Sequence, residues 1–180
     1  VNPGLAPINP EILRNTRGRR ALARRPATLA RMFTVRLAET AETELIVDFQ
    51  LRMAEESEGL TLDRETLTQG VTAVFAGTAR AGYWMIEDAG EVRGMCMTVP
   101  EWSDWRNGTV VWIHSVYVVP EARRQGAFRT LYEHLRRSVE TTPELVGLRL
   151  YVDKTNERAQ QVYDAMGMTR EHYDLYEWLK

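Results

Sequence analysis

The sequence predicts a single α/β domain, and three observations support this. Strand-like and helix-like periodicities alternate from Met32 to the end of the chain. The 180 residues are 44% hydrophobic, which suits one packed core. The formal net charge is −2, and no apolar run approaches the ~18 residues that span a bilayer. We therefore expect neither nucleic acid nor a membrane as the main partner.

The first half of the predicted domain begins with a strand of alternating apolar and polar residues. A helix follows, with apolar residues at every fourth position, and Asp63 is the candidate N-cap of a second helix that Gly77 closes. Ala89-Gly90 separates two strand-like runs and predicts a hairpin. The strands predicted here are 33–37, 82–88 and 91–99, and the first helix is 40–55.

The second half contains the most strand-like run of the chain, TVVWIHSVYVV, which ends at Pro120. An amphipathic helix, a strand and a short helix ended by Gly167 come next, and a last strand follows. These elements are the strands 109–119, 147–152 and 173–179 and the helices 127–140 and 156–166. The predicted order is therefore β-α-α-β-β-β-α-β-α-β.

Residues 1–31 differ in composition from the rest of the chain. They hold seven arginines against one acid, a local charge of +6, and four of the seven prolines. We expect a disordered basic extension, with the folded domain at residues 32–180. Three explanations fit: a transit peptide, a tail that contacts polyanions, or an upstream stretch outside the working protein. Val1 at the start, with Met32 opening the first periodic segment, favours the last.

Metal and disulfide chemistry are not expected. Cys96 is the single cysteine, and the three histidines are far apart, without the spacing of a metal motif. We interpret Cys96 as a small core residue.

A candidate phosphate-binding loop joins the strand 109–119 to the next helix. Its sequence, VVPEARRQGAF, contains a glycine and two arginines just before the helix begins. Amide groups at a helix N-terminus lack intrahelical acceptors, and the helix dipole favours anions there. Gly126 permits close approach, and the arginines can pair with phosphates. A glycine turn with solvated arginines explains the same residues.

A second motif, NERAQQVYDAMGM, starts 30 residues after Gly126. Asn156 is a good N-cap, and Tyr163 lies on the apolar face of the short helix. A capped amphipathic helix with a core tyrosine accounts for the motif without any function.

Together the two motifs resemble the GNAT superfamily of acetyl-CoA-dependent N-acetyltransferases. The pattern R-x-x-G-x-x at a strand–helix junction is followed by a strand and then by N-x-x-A-x-x-x-Y-x-x-x-G-M. The resemblance covers about residues 32–180. It implies a mixed, mostly antiparallel twisted sheet with helices on both faces. Phe128 stands where the family usually has Gly or Ala, as an apolar contact to pantetheine or as a packing residue.

The resemblance implies that acetyl-CoA is the co-substrate, with its pantetheine arm inserted between the splayed strands 109–119 and 147–152. Backbone groups of Val116, Tyr117 and Val118 would pair with that arm, and Asn156 would bind nearby. The implied diphosphate loop consists of Arg123, Arg124, Gln125, Gly126, Ala127, Phe128 and Arg129.

The resemblance, in which a Glu or His often lies on the strand that corresponds to 109–119, and the proton affinities together suggest two catalytic residues. An alkylamine has a pKa of ~10.4, so a base would help to generate the neutral nucleophile. His114 is the candidate, and strand alternation would place it on one face with Trp112, Val116 and Val118. A hydrogen-bonded core histidine is the alternative. In the implied arrangement Tyr163 lies near the sulfur, and its phenol could donate a proton to the leaving thiolate.

Aromatic and acidic residues suggest where an amine acceptor binds. The candidates are Glu55 and Glu56 at the end of the first helix, and Trp102 and Asp104 between two strands. Tryptophan faces hold cations, and carboxylates pair with ammonium groups. A Trp-anchored hairpin beside a solvated acidic run is the alternative.

The resemblance thus implies an N-acetyltransferase that moves an acetyl group to a primary amine, on a small molecule or a peptide, by direct attack without an acetyl-cysteine intermediate. We expect it in the cytoplasm and without a metal. A CoA-binding regulatory module without turnover remains open, as does transfer of another acyl group or transfer to a hydroxyl. A homodimer is common among similar proteins, but nothing in the sequence fixes one.

Overall fold

A computed structural model describes residues 32–170 and 174–178. The basic segment 1–31 and its three possible explanations lie outside the described residues. The chain divides into two units, the first ending at Leu150 and the second beginning at Tyr151.

The first unit contains one five-stranded sheet in the order β1-β2-β3-β4-β5. Its neighbouring strands are antiparallel except β4 and β5, which are parallel and are connected through α3. The strands are β1 Phe33–Leu37, β2 Gly82–Asp88, β3 Glu91–Ser103, β4 Gly108–Val118 and β5 Leu145–Leu150. The helices are α1 Thr43–Glu58, α2 Arg64–Phe75 and α3 Ala127–Thr141. The predicted α/β fold with a mixed, mostly antiparallel sheet is confirmed.

Helices cover both faces of this sheet. Tyr83 faces α1 and α2, since its hydroxyl accepts a hydrogen bond from Gln50 at 3.1 Å and its ring lies 6.0 Å from that of Phe75. The next residue, Trp84, faces α3, where its ring lies 5.0 Å from that of His134. Successive strand residues point to opposite faces, so α1 and α2 lie on one side and α3 on the other. The fully buried side chains come from both layers, with Ile86 and Met95 from the strands and Ile46 and Leu131 from the helices.

Local signals in the sequence account for two of the boundaries. The Asp63 carboxylate accepts a hydrogen bond from the Thr66 amide at 2.8 Å, as expected of an N-cap. Ala89 and Gly90 have φ values of +53° and +84°, the left-handed conformations of a tight hairpin turn.

Tertiary pairing sets other boundaries away from their predicted positions. β3 continues to Ser103 rather than ending at 99, because it pairs with β4 down to Gly108. β5 begins two residues earlier than predicted and ends at Leu150. Residues 40–42 form a short 3₁₀ turn before α1.

Among the described residues of the second unit there is one helix, α4 Glu157–Ala165. The predicted last strand, 173–179, is wrong at residues 174–178, which are not in a strand; its two end residues lie outside the described part. Across the described part of the chain, no helix is both long and apolar enough to cross a membrane.

Candidate functional site

The candidate site is built around a β-bulge in β4. Met97 of β3 pairs with His114, but Met95 pairs with Tyr117, so β4 has one extra residue between these pairs. Ser115, at the bulge, has a φ of +50°. Met95 and Met97 share a face of β3, and paired residues share a face, so His114 and Tyr117 point to the same side.

The bulge corrects the face predicted by simple alternation. Val118 pairs with Gly94, the neighbour of Met95, and therefore lies on the face opposite His114. The prediction that His114 and Val118 share a face is wrong, because the extra residue reverses the alternation beyond the bulge. Tyr117, not Val118, shares the face of His114.

The end of β4 extends beyond its partner β5. The β4–β5 ladder ends at Ile113 opposite Leu150, whereas β4 continues to Val118. The Val119 amide donates to the Arg93 carbonyl at 2.9 Å, which makes Gly94–Val118 a non-hydrogen-bonded antiparallel pair. The N–H and C=O of Val118 thus point away from β3, towards the edge where β5 has ended. By the same alternation, the backbone of Tyr117 points towards β3.

The phosphate-loop candidates lie directly after this strand end. Arg124 and Gly126 have φ values of +61° and +92°, and Gly126 is the N-cap of α3. The Thr130 amide is the first to bond back to the helix start, donating to the Gly126 carbonyl at 2.9 Å. The amides of 127–129 thus lie at the helix N-terminus, where helical geometry supplies no acceptor.

These residues fit a diphosphate. A Cβ built on Gly126 would have no atom within 4 Å, so there is open space above the turn. The side chains of Arg124 and Arg129 are exposed, and neither is paired with a described acid. Ala127 is buried and Phe128 half-buried, so these two residues anchor the first turn of α3. The Gln125 amide group donates to the Glu121 carbonyl.

Arg123 is oriented differently from its neighbours. Its Nε donates to the Val118 carbonyl at 2.7 Å, and its Nη2 forms an ion pair with Glu56 of α1. The guanidinium also lies 5.5 Å from the centre of the Tyr117 ring, and the Tyr117 hydroxyl donates to Glu56 at 3.0 Å. We call Glu56, Tyr117 and Arg123 the Arg123 cluster. Hydrogen bonding from Arg123 lowers the pKa of the Glu56 carboxyl, which is therefore ionised.

His114 lies on the same face of β4, next to a second polar cluster. Its ring is stacked 6.1 Å from that of Trp112, and burial lowers the pKa of His114 below its ordinary value. The imidazole is therefore neutral at pH 7. The indole N–H of Trp112 donates to Glu101 at 2.7 Å, and Arg149 donates to the other oxygen of Glu101 at 2.7 Å.

The four acceptor-site candidates are not brought together. Glu56 is part of the Arg123 cluster, and Glu55 is exposed one residue before it. Trp102 is 55% exposed, and alternation along β3 places it on the face opposite Glu101 and His114. Asp104 accepts a hydrogen bond from the Trp105 amide at 2.9 Å, in the turn after β3. Glu101 belongs to the segment 101–108 that the sequence offered for the acceptor, but its partner Arg149 carries no signal in the sequence.

The second unit contains the remaining two candidates, Asn156 as the N-cap of α4 and Tyr163 within that helix. The side-chain oxygen of Asn156 accepts from the Ala159 amide at 3.0 Å, so Asn156 caps the helix as predicted. Tyr163 is half-buried, and burial raises the pKa of its phenol, which stays protonated at neutral pH.

Within the described residues, no group of three or more His, Cys, Asp or Glu side chains is arranged to hold a metal ion. Cys96 is fully buried in β3, and burial raises the pKa of its thiol. It is therefore an unreactive core thiol at neutral pH.

Comparisons with known proteins agree with the fold. The chain is 35% identical to a possible acetyltransferase from Clostridium difficile 630, with a TM-score of 0.76 over 82% of this chain and 97% of that one. A predicted acetyltransferase with acetyl-CoA from Clostridium acetobutylicum is 20% identical, with a TM-score of 0.60, covering 83% of this chain and 95% of that one. No curated protein matches the sequence.

A more distant solved structure is AAC(6')-Iy in complex with the bisubstrate analog CoA-S-monomethyl-acetylneamine. It is 13% identical, with a TM-score of 0.64, covering 83% of this chain and 99% of that one. At this identity, as for the C. acetobutylicum protein, the likeness concerns the fold alone. Residues 44–168, well over half of the sequence, match the model of the acetyltransferase (GNAT) family. The chain therefore belongs to the acetyltransferase (GNAT) family, and its expected activity is that of an acyltransferase.

Proposed function

We propose that this protein transfers an acetyl group from acetyl-CoA to a primary amine. One observation carries the proposal. β4 extends beyond its parallel partner β5, and the chain then leads into the N-terminus of α3, where Gly126 has a left-handed conformation. The first feature leaves a polar backbone edge beside β4, and the second leaves amides and arginines for a diphosphate. A ligand with both an amide-containing arm and a diphosphate suits this pair.

In the proposed complex, residues of the first unit hold the two ends of acetyl-CoA. The edge of β4 at Val116 and Val118 pairs with the pantetheine amides, and the amides of 124–129 hold the diphosphate. Arg124 and Arg129 supply the compensating charge. When bound, acetyl-CoA supplies an activated thioester and a thiolate leaving group. Asn156 and Tyr163 of the second unit are the further proposed contacts.

The proposed proton transfers use His114 and Tyr163. A neutral imidazole accepts a proton, and burial keeps His114 neutral to lower pH than an exposed histidine. A primary amine must lose a proton before or during attack, so His114 acts as the base, directly or through water. Tyr163 keeps its proton at neutral pH and donates it to the departing thiolate.

An amine acceptor is the proposed substrate because acidic and aromatic groups border the β4 face that carries His114. Glu101 and Trp112 are on that face and already bind the guanidinium of Arg149, which lies 5.6 Å from the centre of the Trp112 ring, so an ammonium group would need a further carboxylate. Glu55 adds an exposed carboxylate at the end of α1. Carboxylates and aromatic faces attract ammonium groups and not carboxylates or phosphates.

An acceptor screen tests the proposed function. Acetyl-CoA is mixed with the protein and with single amines, amino acids, peptides and alcohols, and thiol release is recorded with a chromogenic disulfide reagent. We expect release only with an amine, with a product heavier by one acetyl group in mass spectrometry. CoA binding by calorimetry without release for any acceptor would instead identify a regulatory module. Release with alcohols alone would identify an O-acyltransferase.

A further inference from the structure

We propose that Arg123 is a positioning residue for the pantetheine arm and does not bind the diphosphate. It holds the exposed edge of β4 in place, and Glu56 in turn holds Arg123. The inference rests on the proposed CoA site, and it divides the two adjacent arginines of the loop between two tasks.

The guanidinium of Arg123 is fixed by contacts with other elements of the fold. Its Nε donates to the Val118 carbonyl at 2.7 Å, and its Nη2 forms an ion pair with Glu56. Its flat face lies over the Tyr117 ring at 5.5 Å. These three contacts fix the side chain, and all of them are to residues of β4 and α1.

The positive charge of Arg123 is already compensated within the protein. The carboxylate of Glu56 already neutralises Arg123, so a diphosphate would have to displace Glu56 and would then lie near an unpaired carboxylate. Arg124 has no such carboxylate among the described residues. It is exposed, and its φ of +61° turns the chain tightly before Gly126. Arg124 is therefore the better phosphate ligand of the two.

Arg123 stabilises the peptide groups at the exposed end of β4. The N–H and C=O of Val118 point to the edge beyond the last β5 partner, where none of the described strands pairs with them. The Arg123 Nε supplies the missing donor for that carbonyl. The hydrogen bond thus fixes the orientation of the peptide groups at the edge, with which the pantetheine amides would pair.

Lysine at position 123 isolates this role. It keeps the positive charge but cannot donate to Val118 and to Glu56 with a rigid fork. If Arg123 acts through the edge, R123K weakens the binding of the arm whether or not a diphosphate is attached. E56Q has the same effect, because it releases Arg123 from its position.

The test compares CoA with pantetheine, which carries the same arm without the diphosphate or nucleotide. Dissociation constants are measured by calorimetry for CoA and by ligand-observed NMR for pantetheine, at two salt concentrations. The proteins are the wild type, R123K, E56Q, the double variant and R124Q as the matched control. Thermal melts check that each variant is folded.

We expect R123K to weaken both ligands by about tenfold, since one charge-assisted hydrogen bond is lost. E56Q should match it, and the double variant should be no weaker than either single one, because both act through one contact network. R124Q should weaken CoA alone, with an effect that shrinks as salt is raised.

The opposite pattern would overturn the inference. Direct diphosphate binding by Arg123 predicts that R123K weakens CoA but not pantetheine, and that E56Q strengthens CoA by freeing the arginine. A lower melting temperature with unchanged pantetheine affinity would reduce Arg123 to a purely structural role. Failure of pantetheine to bind the wild type would also refute it. If the protein binds CoA but transfers no acetyl group, the proposed function is wrong. The affinities of the variants would still decide whether Arg123 positions the pantetheine arm.

Discussion

Gly94→Ala should disturb the edge of β4 more than any comparable small substitution. A Cβ at position 94 would lie 2.5 Å from the Tyr117 carbonyl oxygen and 3.2 Å from both the Val118 Cα and the Ile86 Cδ1. Two of these three atoms belong to the β4 backbone, so the strand itself must move. Overpacking of this kind costs about 1–3 kcal/mol. For a domain of this size that corresponds to a melting temperature lower by roughly 2–12 °C.

Differential scanning calorimetry and CoA titration measure the two consequences. We expect both a lower melting temperature and weaker CoA binding, because the displaced atoms belong to the pair that orients Val118. Gly70→Ala is the matched control: Gly70 is exposed in α2, and its Cβ would meet no atom within 4 Å. That variant should be more stable by about 0.5–1 kcal/mol, with unchanged CoA affinity. A G94A protein as stable as the wild type would refute the close approach of β3 and β4.

Three further predictions concern single side chains. Tyr163→Phe should lower kcat by about 10²-fold while CoA binding persists; an unchanged kcat would remove Tyr163 from the chemistry. Only neutral His114 accepts a proton and burial lowers its pKa, so kcat/KM should fall as pH drops through a value below the ordinary ~6.5. His114→Ala should abolish this fall in kcat/KM at low pH. If the fall persists in the variant, another residue is the base. Cys96 should not react with a chromogenic disulfide reagent until the protein is unfolded in guanidinium, because it is fully buried; reaction in the native state would show that β3 opens.

Local features of this fold could be predicted because short-range chemistry determines them. The carboxylate of Asp63 caps a helix three residues away, and Ala89-Gly90 tolerates the left-handed turn of a hairpin. Asn156 caps α4 for the same reason as Asp63. In each case the residue acts on its own neighbours, so the sequence contains the whole interaction. The extension of β3 to Ser103 depends instead on pairing with β4, which no local signal in β3 specifies.

The bulge at Ser115 could not be predicted, and it changes which residues form the site. The pattern of residues in TVVWIHSVYVV is that of an unbroken strand. Nothing in the residue types indicates that Ser115 has a positive φ. The extra residue places Tyr117 rather than Val118 on the face of His114. One backbone irregularity therefore decides which side chains surround the candidate base and which peptide groups face the edge beyond β5.

The sequence also could not show which of the two loop arginines has a partner of opposite charge. Arg123 and Arg124 are adjacent and chemically identical, and any motif based on residue types treats both as phosphate ligands. Their difference comes from Glu56, which lies 67 positions before Arg123 and neutralises it alone. A carboxylate at that distance cannot be assigned to either arginine without the packing of α1 against β4. The division of tasks between positioning and phosphate binding is thus a property of the fold, and Glu56→Gln is the substitution that should remove it.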